Sequence, residues 1–221
     1  SYETIEAQSS ASAAIKKMEG TFTNMDFTYG ITVDKRNQVF QPSAGYKTIF
    51  TQSLPVIQDS SSIMNGIDIS TYHGFTDDII GTVKFQARTM TGVDSDVRLT
   101  ERLFLPAVKL RGFNTRKVGP VDGNDWVGGN YVTALGFEAQ LPNLLPEATR
   151  TDISVFLDSA NVWGVDYDDG VDDSKKIRSS VGIAANVYTT IGPLSFTIAQ
   201  DLTKASKDVT ESFNFRLGTS F

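Results

Sequence analysis

The chain has 221 residues, of which 40% are hydrophobic and 21% charged, and its formal net charge is −6. Because the balance is acidic and no long basic tract occurs, the composition argues against nucleic acid as a partner. The absence of cysteine excludes disulfides, thiolate metal sites and cysteine nucleophiles. The absence of any run of about 18 apolar residues excludes a transmembrane helix.

Alternation of apolar and polar residues recurs along the chain and predicts β-strands, since successive strand side chains point to opposite faces. Nine runs show this pattern: residues 21–34, 45–54, 63–75, 79–89, 128–141, 151–163, 177–189, 194–202 and 209–221. Residues 2–7 resemble the end of one more strand, and residues 9–19 are the only convincing helical stretch, inside a loop. The sequence therefore predicts an all-β fold.

The last run has an apolar face that ends on an aromatic ring. Asn214, Arg216 and Gly218 fall on the polar face, whereas Phe213 and Phe221 share the apolar face. An aromatic residue at the end of such a strand suggests an anchor at a membrane interface, as in the aromatic girdles of outer-membrane barrels.

The connections between the runs alternate in length. In chain order they are a tight turn at 75–78, a very long loop at 90–127, a turn at 142–150, an acidic loop at 164–176, a tight turn at 190–193 and a charged loop at 203–208. Short turns on one rim and longer loops on the other are typical of an outer-membrane barrel, whereas a soluble sandwich has no reason to keep that alternation. We therefore predict a transmembrane antiparallel β-barrel.

The number of strands bears on how much of the barrel this chain supplies. Bacterial single-chain barrels have an even number of strands, so nine strands cannot close by themselves. We interpret residues 1–221 as the C-terminal part, about nine strands, of a single larger barrel domain whose first strands lie outside this chain.

Several short motifs occur in a fixed order after residue 109. They are Leu110-Arg111-Gly112-Phe113 in the long loop, Gly128-Gly129-Asn130, Glu138 in the next strand, and Phe156-Leu157-Asp158 in the strand after that. Together they resemble the BamA-type outer-membrane assembly factor family, the bacterial surface antigen barrels. The hallmark of that family is a Val-Arg-Gly-Phe loop, Gly-Gly-Asn, an inward Glu and a Phe-x-Asp-x-Gly strand. Leu110 for Val, Ala160 for Gly and Phe221 for the Trp of some members are the departures.

The resemblance implies that the long loop folds back into the barrel lumen, where Arg111 meets Asp158. Gly112 would permit a tight turn at the loop tip and Phe113 would pack on the lumen wall. Strand parity also predicts that the two acids face the lumen. Ile153, Val155 and Leu157 would face lipid, so Asp158 would point inward. The same argument places Glu138 on the inward face of its own strand. The five donors of the arginine suit a carboxylate, and a shielded pair would contribute roughly 1.5–3 kcal/mol.

The resemblance also implies a lateral gate at the last strand, to which Gly218 and Phe221 belong. Gly218 lies where family members bend this strand inward, and a glycine within a strand weakens it and allows a bend. The alternative is that Gly218 is a small lumen-facing residue that merely makes room.

For function, the resemblance implies a 16-stranded barrel, integral to the outer membrane of a Gram-negative bacterium, that folds and inserts other β-barrel proteins by strand templating. Its partners would be client barrels, assembly-complex lipoproteins and membrane lipid, with periplasmic POTRA domains outside this chain. No cofactor is implied, and no catalytic motif supports an enzyme. Two alternatives remain: a two-partner secretion transporter that exports one cognate protein, and a barrel anchor for a passenger enzyme.

The acidic loop raises the separate question of a cation site. Its five aspartates are Asp166, Asp168, Asp169, Asp172 and Asp173. Their spacing departs from the EF-hand pattern, so we favour a solvated loop and predict no metal site.

Overall fold

The computed structural model describes residues 2–11, 13–16, 18–59, 61–76, 78–141, 145, 150–167, 170–172, 175–190 and 192–218. Their strands are β1 (Tyr2–Ile5), β2 (Gly20–Asp34), β3 (Ala44–Gln58), β4 (Ser62–Gly74), β5 (Ile80–Gly92), β6 (Val121–Asp122), β7 (Asp125–Trp126), β8 (Tyr131–Gln140), β9 (Thr151–Trp163), β10 (Val171–Asp172), β11 (Arg178–Thr189), β12 (Gly192–Thr203) and β13 (Phe213–Leu217). One short helix, α1, spans Ala13–Lys16.

Ten of these strands form a single sheet in the order β1-β2-β3-β4-β5-β8-β9-β11-β12-β13. Neighbouring strands are antiparallel throughout, so the sheet is a meander in which each strand pairs with the strands next to it in the chain. Within the described residues β1 and β13 are its two edges. The all-β antiparallel prediction is confirmed.

The two faces of the sheet separate as the period-2 pattern predicts. The apolar side chains of Phe27, Ile31 and Ile183 are more than half exposed on one face. Asp158 is buried on the other face, against which the long loop packs. We call the face that carries Asp158 the inner face, because a barrel turns its polar face to the lumen and its apolar face to lipid.

The nine predicted runs and the additional strand predicted at residues 2–7 correspond in number and order to the ten strands of the main sheet, whereas β6, β7 and β10 were not predicted. Other differences occur at the two ends of the chain. The additional strand predicted at residues 2–7 is β1. Of the helix predicted over 9–19, the described residues contain the single turn of α1. The last strand begins at Phe213 rather than at 209, and the part predicted beyond residue 218 lies outside the described residues.

A membrane-spanning helix is absent from the described part of the chain. None of its helical residues belongs to a helix that is long and apolar enough to cross a membrane.

The meander places its connections alternately at two rims. One rim, the short-turn rim, is where β2 leads to β3, β4 to β5, β8 to β9 and β11 to β12. The opposite rim, the long-loop rim, is where β1 leads to β2, β3 to β4, β5 to β8, β9 to β11 and β12 to β13. The alternation predicted from residue 75 onward is therefore present, and the three-residue connection 59–61 is the exception on the long-loop rim.

The long loop, residues 93–130, has structure of its own. Its β6 and β7 form a small hairpin, and β10 from the acidic loop pairs with β6. The part of the loop around Leu110 and Phe113 forms a buried apolar cluster with Val132 on β8 and Val162 on β9. Burial of these side chains holds the loop on the inner face of the sheet.

Candidate functional site

Arg111 at the tip of the long loop forms a forked ion pair with Asp158 of β9. Its Nε donates to Oδ2 at 2.8 Å and its Nη2 donates to Oδ1 at 2.9 Å. The backbone N–H of Arg111 donates to the same Oδ2 at 3.0 Å. One carboxylate therefore fixes both the guanidinium and the backbone of the loop tip, in the bidentate geometry that arginine favours.

Glu138 of β8 adds a second carboxylate to this site. The Nη1 of Arg111 donates to Oε2 of Glu138 at 3.2 Å, and the hydroxyl of Ser154 donates to Oε1 at 2.7 Å. Lys84 of β5 lies 3.8 Å from the same Oε2. Two cations, Arg111 and Lys84, thus lie within 4.0 Å of Glu138, and Arg111 also lies within 4.0 Å of Asp158.

The guanidinium of Arg111 also lies on an aromatic ring. Its Cζ is 3.5 Å from the ring centroid of Phe156, which is buried on the inner face two residues before Asp158. A side chain at Gly182 of β11 would come within 2.6 Å of this ring, so the glycine leaves room for it. The stacked ring adds a cation–π contact to the ion pair.

Burial decides how strong this arrangement is. The side chain of Asp158 is 3% exposed and that of Arg111 is 12% exposed. Burial alone would lower the pKa of Arg111, but its bonds to Asp158 and Glu138 outweigh that effect and raise the pKa, so the guanidinium stays charged. Removing one partner of such a shielded pair typically costs about 3–5 kcal/mol, because the other charge is left buried.

The backbone around Gly112 fits the loop tip tightly against the sheet. Gly112 has a φ of 89°, and a Cβ there would lie 2.9 Å from the Cβ of Ala199 on β12. The hydroxyl of Ser180 on β11 donates to the carbonyl of Arg111 at 2.5 Å. The carbonyl of Gly112 accepts the N–H of Glu211 at 2.9 Å. Position 112 therefore needs glycine for both conformation and space.

Phe113 is buried beside this turn. It belongs to the apolar cluster and forms an isolated β-bridge with Thr210. The structure thus brings together Arg111, Gly112, Phe113, Asp158 and Glu138, the five residues predicted for the lumenal loop and its wall.

We expect Gly112→Ala to displace the loop tip, whereas Gly123→Ala at the tip of the β6–β7 hairpin should not. Both glycines have positive φ, so both substitutions cost about 1 kcal/mol in backbone strain, but a Cβ at Gly123 would meet nothing within 4 Å. The measurement is trypsin cleavage of the intact barrel at the exposed Arg116. Equal cleavage rates in the two variants would show that contact with Ala199 does not hold the tip.

The residues predicted for a gate are placed differently from the loop residues. Gly218 directly follows Leu217, the last residue of β13. It has a φ of 116°, and its N–H donates to the carbonyl of Pro193 at 3.0 Å. A Cβ at this position would meet nothing within 4 Å, so the backbone conformation and not space favours glycine. Phe221 lies outside the described residues.

Three inner-face contacts of the loop tip were not predicted from the sequence, although Phe156 belongs to the motif that contains Asp158. Phe156 supplies the ring under Arg111, Gly182 leaves room for that ring, and Ser180 holds the carbonyl of Arg111. All three share the inward parity of Asp158 on paired strands. The available signal was the shared inward parity of a small residue, a large one and a polar one on neighbouring strands.

The described part of the acidic loop supports the long loop. Asp166 accepts the N–H of Val97 at 2.9 Å and the side-chain amide of Asn130 at 2.7 Å. Asp168, Asp169 and Asp173 lie outside the described residues. Among the described residues, no group of three or more acidic, histidine or cysteine side chains is placed to hold a metal ion.

Comparison with known proteins gives matches over the whole chain. The model of the Omp85 superfamily domain matches residues 1–221. The outer membrane protein assembly factor BamA of Neorickettsia risticii (strain Illinois) is 25% identical over 225 residues, which cover 98% of this chain and 30% of that protein. BamA of Neisseria meningitidis serogroup B (strain ATCC BAA-335 / MC58) is 28% identical over 139 residues, which cover 51% of this chain and 17% of that protein.

A solved structure agrees with the fold. The crystal structure of BamA from Haemophilus ducreyi lacking POTRA domains 1–3 superposes with a TM-score of 0.80 at 23% identity. The match covers 88% of this chain and 42% of that one. The chain thus spans less than half the length of each of these three proteins. The family model matches every residue, and the chain therefore belongs to the Omp85 superfamily of outer-membrane β-barrel proteins.

Proposed function

We propose that the complete protein is an assembly factor that folds and inserts β-barrel proteins into the outer membrane. Two relatives that match this chain are named outer membrane protein assembly factor. The observation that carries the proposal within the chain is the forked pair of Arg111 with Asp158, which fixes a long loop on the inner face of the sheet. We call this pair of Arg111 with Asp158 the clasp. A diffusion porin does not need such a pair between a loop and the barrel wall.

The clasped loop and the edge strand together suggest how the protein acts. The outer edge of β13 has no strand partner among the described residues, and unpaired strand edges are templates for further strands. A client would add its own terminal strand at a lateral gate that β13 forms with the first strand of the closed barrel. Gly218, with its positive φ, lets the chain bend at the end of β13, and Phe221 anchors that end at the membrane interface.

The proposal extends to the architecture and the partners of the complete protein. Residues 1–221 would be one part of a single 16-stranded barrel domain, joined to POTRA domains. Clients, assembly-complex lipoproteins and membrane lipid would be the partners. The work requires no cofactor and no catalytic residue, because strand pairing and burial of the client in lipid supply the free energy.

Depletion of the complete protein in its native host tests this function. We expect a general loss of folded outer-membrane barrels, measured by heat-modifiable mobility in gels, because all clients would share the same gate. Loss of one secreted protein with the other barrels unaffected would instead identify a dedicated secretion transporter. Loss of one surface-displayed enzyme activity alone would identify a barrel anchor for a passenger enzyme.

A further inference from the structure

Arg178, the first residue of β11, forms a second forked ion pair that the clasp does not use. Its Nε donates to Oδ2 of Asp208 at 2.8 Å and its Nη2 donates to Oδ1 at 3.1 Å. Its Nη1 donates to the side-chain oxygen of Asn161 on β9 and to the carbonyl of Lys176 at 2.9 Å. The side chains of Arg178 and Asp208 are 0% and 1% exposed.

This pair is fully enclosed and geometrically specific. Oδ2 of Asp208 also accepts the N–H of Ala205 at 2.6 Å, so this carboxylate binds the β12–β13 connection as well as Arg178 of the sheet. A buried ion pair gives little net stability over an apolar pair of similar size. A better-supported role of a buried ion pair is to specify a single arrangement of the segments that it joins. The planar, forked guanidinium of arginine is suited to that role.

The residues that follow Asp208 run directly along the long loop. The N–H of Val209 donates to the carbonyl of Lys117 at 3.2 Å, and the N–H of Asn114 donates to the carbonyl of Val209 at 2.9 Å. Thr210 forms the β-bridge with Phe113, and the N–H of Glu211 donates to the carbonyl of Gly112. The segment 208–211 therefore lies between the wall pair at Arg178 and the loop tip at Arg111.

This segment leads into the edge strand. Only Ser212 separates Glu211 from Phe213, where β13 begins, and the amide of Asn214 donates back to the carboxylate of Glu211 at 2.8 Å. β13 pairs with β12 along its whole length, from Phe213 with Ile198 to Leu217 with Leu194, and the bond from Gly218 to Pro193 follows the last pair. The carbonyl of Ser212 also accepts the N–H of Ala199 at 2.9 Å. The loop therefore contacts β13 through its Phe213 end.

We propose that Arg178 and Asp208 are positioning residues that keep segment 208–211 on the lumenal loop, so that the loop and the Phe213 end of β13 move as one unit. The part of this proposal that concerns client insertion rests on the proposed function. Displacement of the loop would then be transmitted to the edge strand, and separation of β13 from β12 would start at the Leu217 end.

The test of the coupling is a distance measurement in the complete protein in outer-membrane vesicles. Spin labels on Thr115→Cys and Ser212→Cys report on the loop and on the start of β13, since both positions are exposed and this chain contributes no cysteine of its own. We expect a narrow distance distribution in the parent and a broad one in Arg178→Met/Asp208→Leu. This apolar replacement removes both charges without leaving one buried.

The matched control is Arg36→Met/Asp34→Leu at the short-turn rim. That pair is also forked, with Nε to Oδ1 at 2.9 Å and Nη2 to Oδ2 at 2.7 Å, and we expect no broadening. If the Arg178 double variant folds poorly, Arg178→Lys keeps the charge and loses the fork, and it should broaden the distribution partly. A distribution that stays narrow in both Arg178 variants overturns the proposal.

Client assembly is measured in the same vesicles. This measurement tests the part of the proposal that concerns client insertion separately from the part that concerns coupling of the loop and β13. We expect the rate of client insertion to fall on the order of 10-fold in Arg178→Met/Asp208→Leu and to stay unchanged in the control. Broadened distances with an unchanged rate would overturn the link to insertion. If the parent inserts no client at all, the proposed function fails, while the distances still decide whether the pair couples loop and strand.

Discussion

Replacing Arg111 by alanine should release the long loop from the inner face and reduce client assembly by on the order of 100-fold. The change removes two side-chain bonds to Asp158, one to Glu138 and the stacking on Phe156. It leaves a carboxylate that is 3% exposed without its cation, a loss of about 3–5 kcal/mol. Trypsin cleavage at the exposed Arg116 and heat-modifiable mobility of a newly made client are the two measurements.

Two variants control this result. Arg111→Lys keeps the positive charge but replaces the fork by a single point donor, and we expect an intermediate loss of both loop protection and assembly. Arg36→Ala removes a forked arginine at the short-turn rim and should leave both measurements unchanged. A loop that stays protected in Arg111→Ala would contradict the clasp, and normal assembly with a released loop would show that the clasp is not used for insertion.

The sequence was sufficient to predict the inner face of this site because strand parity is a local rule. Asp158 and Glu138 could be assigned inward from their apolar neighbours alone, and both lie there. That Arg111 reaches them came from the family resemblance, since nothing in the spacing of a 38-residue loop specifies where its tip will lie. The contact with Phe156 depends on the space left by Gly182 on β11, which is a different strand. The pattern within a single strand does not contain that information.

The start of the last strand shows why alternation alone misplaced a boundary. The predicted run begins at residue 209, but the backbone groups of residues 209–211 bond to the long loop, at Lys117 and Gly112, and not to β12. A pattern of side chains reports which face a residue prefers, not which backbone it pairs with. For the same reason the pair between Arg178 and Asp208 could not be predicted from the side-chain pattern, because the two residues are separated by the rest of β11 and all of β12.

A double-mutant cycle should show that Arg111 and Asp158 act as one unit, with a coupling of about 3 kcal/mol. Asp158→Ala removes three bonds to the loop tip and leaves a buried guanidinium, so we expect a loss close to that of Arg111→Ala. Glu138→Ala removes one longer bond and leaves the fork intact, so its cost should be nearer 1 kcal/mol. The measured quantity is the equilibrium between protected and cleavable loop.

The informative variant is Arg111→Met/Asp158→Leu, which removes both charges and keeps apolar volume beside Phe156. If the pair acts as a unit, this double variant loses no more loop protection than either single alanine variant, because the cost of an unpaired buried charge disappears. Losses that simply add would mean that each residue has its own independent role. Since Asp158 also binds the backbone N–H of Arg111, and Arg111 also binds Glu138 and stacks on Phe156, we expect some loss to remain even in the apolar pair, and that remainder measures these three contacts together.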